Sequence, residues 1–420
     1  MPAMNHSTNK NPMNVTQLPW AFPVGERFSG VQSSPVREIL SVLSRGDVIS
    51  FAGGIPDPDL FAVEEIKAAF DHVLTHQASK ALQYASTEGE PALREQAAAR
   101  MSRQLPTAAE QIQITSGSQE GLYLIGQTLL DAGDVVLVEQ PTYLAAVQAF
   151  ALSGARMVGI PTDEHGVLPD ELERLIERHR PKFVYLIPTF QNPTGRCMPA
   201  GRRHQVAQIL LRTGTALVED DPYGQLRFSG EPVAPIGTLP GMPARTLLLN
   251  SMSKIMAPGL RVGWIRGEGP ILRSIAIAKQ AVGLQSPVTD QLAVARYLAT
   301  NDIDQHIRRI NTVYKTRRDA MHAELSGILP EGATITNPDG GMFLWARLGN
   351  DIDTSRLLPL AVEEGVAFVP GSAFYAHDPD HNTMRLSYVT NSPDVIAEGI
   401  QRLSRAIKTY STRRSPATAH

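Results

Sequence analysis

The chain is 420 residues long, enough to bury a large core as two domains or as one large domain with a smaller companion. Its 39 basic and 42 acidic side chains leave a net charge of -3, a balance that argues against a nucleic-acid binder or a polybasic membrane protein. One cysteine, Cys197, excludes an internal disulfide framework and a cysteine-built metal site, scattered histidines give no metal-ligand spacing, and no apolar run approaches the ~18 residues that span a bilayer. The opening Met1-Pro2-Ala3-Met4-Asn5-His6-Ser7 lacks an apolar signal core, so a cytoplasmic protein is expected.

The first 25 residues or so are polar and rich in proline and asparagine, and read as a mobile arm. From Ser34 the pattern turns helical: Pro35 suits a first turn, and Val36, Ile39, Leu40 and Leu43 share one face. Arg37 stands near the start of that helix and need not share the buried face, so a solvated arginine is the plainer reading. In Ile49-Ser50-Phe51-Ala52-Gly53-Gly54-Ile55-Pro56-Asp57-Pro58, two glycines and two prolines rule out a helix or a central strand. The chain must turn there with bare backbone. At Gly54 that lets a ligand approach closely, although an ordinary loop would look the same.

A helix is predicted over 63–75, and Leu82-Gln83-Tyr84-Ala85-Ser86-Thr87-Glu88-Gly89 then interrupts. Strand-like runs over 112–115, 135–139, 183–188, 216–219 and 246–249 alternate with helical patterns near 119–131, 142–152, 170–180 and 200–213. That alternation implies a mostly parallel sheet covered on both faces. Such sheets bind ligands beyond the carboxyl ends of their strands, so the polar residues closing each run are the candidates.

The first run closes on Thr115-Ser116-Gly117-Ser118-Gln119, a small-residue turn opening a helix, where orphan N–H groups and the helix dipole suit a phosphate. A plain helix cap would use the same donors. The second run gives Gln140-Pro141-Thr142-Tyr143, an aromatic at the mouth of the sheet. The third gives Gln191-Asn192-Pro193-Thr194-Gly195 and the fourth Asp220-Asp221-Pro222-Tyr223, in which Asp220 could also be a loop or capping aspartate.

The fifth run empties into Asn250-Ser251-Met252-Ser253-Lys254, then Pro258-Gly259-Leu260-Arg261. A lysine at the end of an internal strand, beside a second cation, falls below its usual pKa of about 10.4 and gains nucleophilic character. Such an amine forms an imine with an aldehyde. Ser251, Ser253 and Arg261 offer hydroxyls and a forked cation to a phosphate. An aldehyde that carries a phosphate is pyridoxal 5'-phosphate (PLP). Taken alone, Ser-Met-Ser-Lys reads equally as an ordinary loop.

From about residue 300 the pattern changes to a long helix, Gly340-Gly341-Met342-Phe343-Leu344-Trp345, a helix near 354–364, strand-like runs at 366–369 and 384–388, and a last amphipathic helix from Pro393. This reads as a smaller α+β unit whose tail loosens after about Tyr410. Arg385, inside a strand-like run, would be expensive to bury without an anionic partner; the alternative is a surface arginine on an edge strand.

Ser-x-Ser-Lys followed by Gly-Leu-Arg, with Asn-Pro-Thr-Gly and Asp-x-x-Tyr at these intervals, resembles the fold type I PLP-dependent enzymes of the aspartate aminotransferase superfamily. The resemblance runs from about Ser34 to the last helix. Phe51-Ala52-Gly53-Gly54, Leu82-Gln83-Tyr84 and Gly371-Ser372-Ala373-Phe374-Tyr375 make it similar to the class I/II group of 2-aminoadipate (LysN-like) and kynurenine-type aminotransferases. The resemblance implies an α/β fold of the PLP-dependent transferase type I kind, with a large domain at 63–299, a smaller α+β domain from 26–62 and 300–420, and the arm at 1–25.

It also implies roles. Lys254 would carry the cofactor and move the proton between Cα and the cofactor, and Asp220 would keep the pyridine nitrogen protonated. Asn192 and Tyr223 would hydrogen-bond the phenolic oxygen, Tyr143 would stack on the ring, and Ser116, Gly117, Ser118, Gln119, Ser251, Ser253 and Arg261 would surround the phosphate. Tyr84 would reach the phosphate of a neighbouring subunit, making a homodimer part of the catalyst. Arg385 would grip the substrate α-carboxylate, with Asn192 and Gly54 beside it, and Ser34 and Arg37 would meet the substrate side chain or its distal carboxylate.

The expected activity is transfer of the amino group of an L-amino acid (2-aminoadipate, glutamate, leucine or aromatic) to a 2-oxo acid such as 2-oxoglutarate, by a ping-pong mechanism. One rival is a PLP-dependent lyase or decarboxylase on the same frame, which differs only in the Cα bond held perpendicular to the ring. Another is a non-catalytic PLP-sensing module of the kind fused to winged-helix regulators, for which the short, non-basic arm leaves no DNA-binding domain. A nicotinamide dehydrogenase would need Gly-x-Gly-x-x-Gly after a first strand, and none stands there.

Overall fold

A computed structural model describes residues 48–349 and 351–414, together with Gly25 and Phe28. The expected arm and the helix carrying Ser34 and Arg37 lie outside the described residues. In chain order the strands are β1 (Ile49–Ser50), β2 (Ile112–Thr115), β3 (Val135–Gln140), β4 (Arg156–Asp163), β5 (Gly166–Val167), β6 (Phe183–Leu186) and β7 (Ala216–Asp220). They continue with β8 (Thr246–Ser251), β9 (Gly263–Arg266), β10 (Thr334–Ile335), β11 (Phe343–Arg347), β12 (Val366–Ala367), β13 (Val369–Pro370) and β14 (Thr383–Ser387).

Eight strands form one sheet in the order β2-β9-β8-β7-β6-β3-β4-β5. β9 runs antiparallel to both β2 and β8, β5 runs antiparallel to β4, and the other neighbours are parallel. Alternate residues of β3, β6 and β7 feed two different cores. Val135 and Leu137 meet Leu172, Leu175, Val206 and Leu210 of the helices Pro169–His179 and Ala200–Thr213. Val136 and Val138 belong to the larger core with Leu122, Ile125, Ala149 and Phe150 of Ser118–Leu129 and Leu144–Ala151. Burial on both faces is the reason these runs read as continuously apolar rather than alternating.

Three strands of this sheet escaped the periodicity. β4 is broken by Gly159 and Pro161, β5 is only two residues, and β9 is four residues ending in an arginine. Arg266 is nevertheless buried, because it pairs with Glu268 at 2.8 Å and donates to Pro243 O at 2.8 Å. With β9 reversed, β2, β8, β7, β6, β3 and β4 all point the same way. Their carboxyl ends therefore share one edge.

The second sheet is antiparallel, in the order β10-β11-β14-β13, and its register sets Arg385 opposite Trp345 and Val369. β1 pairs in parallel with β12. Just beyond it Phe51 N–H donates to Ala367 O (2.8 Å), and Phe51 O accepts from Ser387 N–H (2.7 Å). These bonds lead residues 51–54 from the smaller sheets to the mouth of the large one. The last helix, Pro393–Arg414, runs past Tyr410, and the rest of the expected loose tail lies outside the described residues. The Tyr410 ring is buried and its hydroxyl accepts from Asp353 N–H at 3.1 Å, which holds that turn in place.

Candidate active site

β8 ends at Ser251, whose Oγ accepts from Ser253 N–H (3.1 Å) and donates to Ser253 Oγ (2.9 Å), capping the short turn Met252–Lys254. Both hydroxyls therefore shape the turn that presents the lysine. Lys254 Nζ donates to Gly54 O at 2.8 Å. Burial, helped by the charges of Arg385 and Arg261, pushes its pKa down to about 8.

Asp220 closes the neighbouring β7. Its Oδ2 accepts from Tyr185 OH at 3.0 Å, while Oδ1 is buried without a partner. Burial raises the carboxyl to about 7, against the pull of the Tyr185 hydrogen bond. Tyr185, two residues inside β6, was invisible to sequence reading because a tyrosine in a buried strand looks like core.

Asn192 lies in the loop after β6, which Gln191 pins by donating from Nε2 to Pro141 O at 2.8 Å. Asn192 Nδ2 donates to Tyr223 OH (3.4 Å), and its Oδ1 accepts from Arg385 Nη1 (2.9 Å). Arg385 also donates from Nη2 to Ala52 O at 2.7 Å. Its guanidinium lies between two rings, 4.3 Å from the Phe343 centroid and 4.9 Å from that of Phe374.

Arg385 is buried, its Nε has no partner, and no carboxylate among the described residues pairs with it. The expected anionic partner is replaced by two neutral oxygens and two π faces. Desolvation still lowers its pKa to about 10.

At the end of β2, the helix Ser118–Leu129 begins behind Gly117, which stands at φ +79° with no side-chain cap. Ser118 is thus the first helical residue and not the cap. Arg261 reaches across, donating from Nη2 to Ser116 O (2.7 Å) and from Nη1 to Pro258 O (3.2 Å). A Cβ at position 117 would lie 2.5 Å from Arg261 Nη2, so only glycine leaves room for the guanidinium.

Ser116 N–H donates to Glu120 Oε2 at 2.5 Å and Ser116 Oγ to Ser286 Oγ at 3.2 Å. Gln119 turns to Ala145 O (3.1 Å) and accepts from Tyr143 OH (3.4 Å), steadying the tyrosine. Burial and the Asp220 charge raise Tyr143 to about 12, and burial and Tyr143 raise Tyr223. Arg385 and Arg261 act on both Lys254 and Tyr143, and Asp220 and Arg385 act on both Tyr143 and Tyr223, so these side chains share one electrostatic environment.

Tyr84 stands apart, 78% exposed. Ser34 and Arg37 fall outside the described residues. Sequence reading also missed the carbonyl of Ala52, Glu120 and Ser286. The motif segments Phe51-Ala52-Gly53-Gly54 and Ser116-Gly117-Ser118 pointed to their neighbourhood and not to them.

Residues 46–403 match the model of the family described as aminotransferase class I and II. The chain belongs to that family. The aminotransferase is 42% identical over 406 residues to aromatic-amino-acid aminotransferase 1 of Thermococcus litoralis, covering 95% of this chain and 97% of the relative. Its fold is similar to that of LysN, the α-aminoadipate aminotransferase of Thermus thermophilus crystallised with N-(5'-phosphopyridoxyl)-L-leucine. That match has a TM-score of 0.87 at 38% identity and covers 93% and 98% of the two chains. A kynurenine aminotransferase of Pyrococcus horikoshii gives a TM-score of 0.88 at 41% identity over 92% and 97%.

PLP is the cofactor of the aminotransferase, and the residues present fit it. The unpaired Asp220 Oδ1 is a buried acceptor waiting for an N–H, Gly117 and Arg261 form a cradle that a Cβ would fill, and Lys254 is biased toward the free amine. Among the described residues no cluster of side chains could hold a metal ion, and no helix is long and apolar enough to cross a membrane.

Proposed function

We propose that this aminotransferase carries the amino group of an L-amino acid of the 2-aminoadipate, glutamate, leucine or aromatic type to a 2-oxo acid such as 2-oxoglutarate. The two half-reactions follow one another in ping-pong order at one site. Bound PLP supplies the aldehyde that captures the amino group and the electron-poor ring that makes the Cα–H bond acidic. The protein's own residues do the rest.

Lys254 Nζ would hold the cofactor and, when free as an amine, would serve as the base that takes the substrate Cα proton and hands it back. Asp220 Oδ1, buried without a partner, would accept from a protonated ring nitrogen. Asn192 and Tyr223, hydrogen-bonded to each other, would donate toward the phenolic oxygen, and Tyr143, steadied by Gln119, would stack on the ring. Ser116, Gly117, Ser118, Ser251, Ser253 and Arg261 would hold the phosphate. Arg385 binds the substrate carboxylate, with Asn192 and the Gly54 backbone beside it.

The observation that carries the substrate reading is Arg385. A buried guanidinium with only neutral partners, in a slot between Phe343 and Phe374, costs stability unless an anion arrives there. The names of the similar enzymes, which span aromatic amino acids, α-aminoadipate and kynurenine, support a broad choice of side chain. Ser34 and Arg37 are the proposed contacts for an acidic side chain, while Tyr143 would receive apolar ones.

We assign residues 63–299 to the large domain, 26–62 with 300–420 to the small one, and 1–25 to the arm. A homodimer completes the site. Tyr84 and Leu82 are 78% and 75% exposed, an apolar pair that a second subunit would cover. A spectrum tests the reaction class: the visible band of the bound cofactor should bleach with glutamate and return with 2-oxoglutarate. Release of oxo acid without any need for an amino acceptor would instead assign a lyase.

A further inference from the structure

Helix Gly269–Gly283 carries a lysine that none of these roles uses. Lys279 is fully buried, and its Nζ donates to Ile114 O at 2.6 Å and to Ser286 Oγ at 2.9 Å. Ser286 Oγ in turn accepts from Ser116 Oγ at 3.2 Å. Three side chains therefore run in line from the interior to the turn at Ser116.

Two acceptors satisfy a neutral amine, which has two N–H donors, while an ammonium has three. Among the described residues no carboxylate forms an ion pair with Nζ. Glu120, which accepts from Ser116 N–H, and Glu88, which accepts from Ser86 Oγ, act on it only from farther off. An amine buried this deeply is costly if its charge finds no counterpart. A carbonyl and a hydroxyl do not supply one.

We propose that Lys279 is the interior counter-charge of the cofactor phosphate, acting through the Ser286 and Ser116 hydroxyls, so that an anion at the Ser116–Gly117–Ser118 turn draws a proton onto Nζ. This rests on the reading of that turn and Arg261 as the phosphate site. Hydroxyl hydrogens are free to rotate, so Lys279 can donate to Ser286, Ser286 to Ser116, and Ser116 to the anion. The proton comes from solvent and binds the Nζ lone pair; no other bond forms or breaks.

Burial holds Lys279 down at about 8 while Glu120 and Glu88 pull it upward. About half of the sites are then uncharged at pH 8 when the turn is empty, and a nearby dianion favours the charged form. Lys279 is a positioning residue, since it touches neither substrate nor reacting atoms.

Lys254 also titrates near pH 8. The test therefore uses the cofactor-free full chain carrying Lys254→Ala. Sulfate, a dianion that does not itself titrate near pH 8, is the probe, followed by calorimetry in two buffers of different ionisation enthalpy. Uptake of up to about 0.5 proton per sulfate bound is expected. Adding Lys279→Met should abolish the uptake and weaken sulfate binding at least tenfold. Ser286→Ala, which leaves the lysine in place, should weaken binding severalfold and reduce the uptake.

No uptake in the Lys254→Ala protein, or uptake that survives Lys279→Met, overturns the proposal. If Lys279→Met does not fold, uptake unaffected by Ser286→Ala overturns it instead. Arg261→Ala separates the two readings. Unchanged sulfate affinity in that variant removes the phosphate from this turn, whereas lost affinity without proton uptake in the Lys254→Ala protein refutes the role of Lys279 alone.

Discussion

Replacing Arg385 by lysine tests the substrate grip most directly. The native side chain offers Nη1 and Nη2 to Asn192 Oδ1 (2.9 Å) and Ala52 O (2.7 Å), and its plane fills the gap between Phe343 and Phe374. A lysine keeps the charge but has neither the planar fork nor the flat faces. It would forfeit one of two charge-assisted bonds to a carboxylate, about 1.5–3 kcal/mol, and would leave Asn192 Oδ1 or Ala52 O short of a donor at a further ~1 kcal/mol or more.

The combined loss, roughly 3–4 kcal/mol, corresponds to about a 100- to 1000-fold fall in kcat/KM. The assay is steady-state transamination of L-phenylalanine beside 2-phenylethylamine, the same molecule without its carboxylate. Phenylalanine should lose the full factor while the amine, a poor substrate throughout, changes less than about threefold. Equal losses for the two compounds, or a loss below about tenfold for phenylalanine, would refute the assignment of Arg385 to the carboxylate.

Gly117→Ala should raise the dissociation constant for PLP at least tenfold in a fluorescence titration, because the new Cβ would sit 2.5 Å from Arg261 Nη2. Gly133→Ala is the control. It carries similar backbone strain at φ +88° but has nothing within 4 Å, so its PLP affinity should match the native protein. Capture of PLP by the cofactor-free enzyme should speed up as pH rises through about 8, since only the neutral Lys254 amine attacks. At pH 7 that gives about a 200-fold larger reactive fraction than an ordinary lysine has, and a rate still climbing steeply above pH 9.5 would contradict the lowered pKa. Arg37→Ala should raise KM for glutamate and 2-aminoadipate more than for leucine; equal increases for all three would remove Arg37 from the specificity pocket.

The cofactor chemistry was legible because it is written in contiguous motifs. Ser251-Met252-Ser253-Lys254, Asp220 to Tyr223 and Asn192-Pro193 each close a strand-like run, and the parallel order implied by alternating strands and helices brings those ends to one edge. Both links are local, a polar residue after an apolar run and a helix of crossover length, so sequence alone determined them. The strands β4 and β9 were not legible, since Gly159, Pro161 and the terminal Arg266 interrupt the apolar signal and are accommodated only by contacts with Gln140, Pro243 and Glu268.

What the tertiary structure decided is which groups face each other across long stretches of chain. Tyr185 steadies Asp220, Ala52 O and Asn192 Oδ1 stand in for an anion at Arg385, Gln119 bonds Ala145 O and Tyr143, and Lys279 comes to lie behind Ser116. A tyrosine in a buried strand or a lysine in a helix gives no periodic sign of its partner. Its pKa and its hydrogen bonds come from burial and neighbours that only packing supplies.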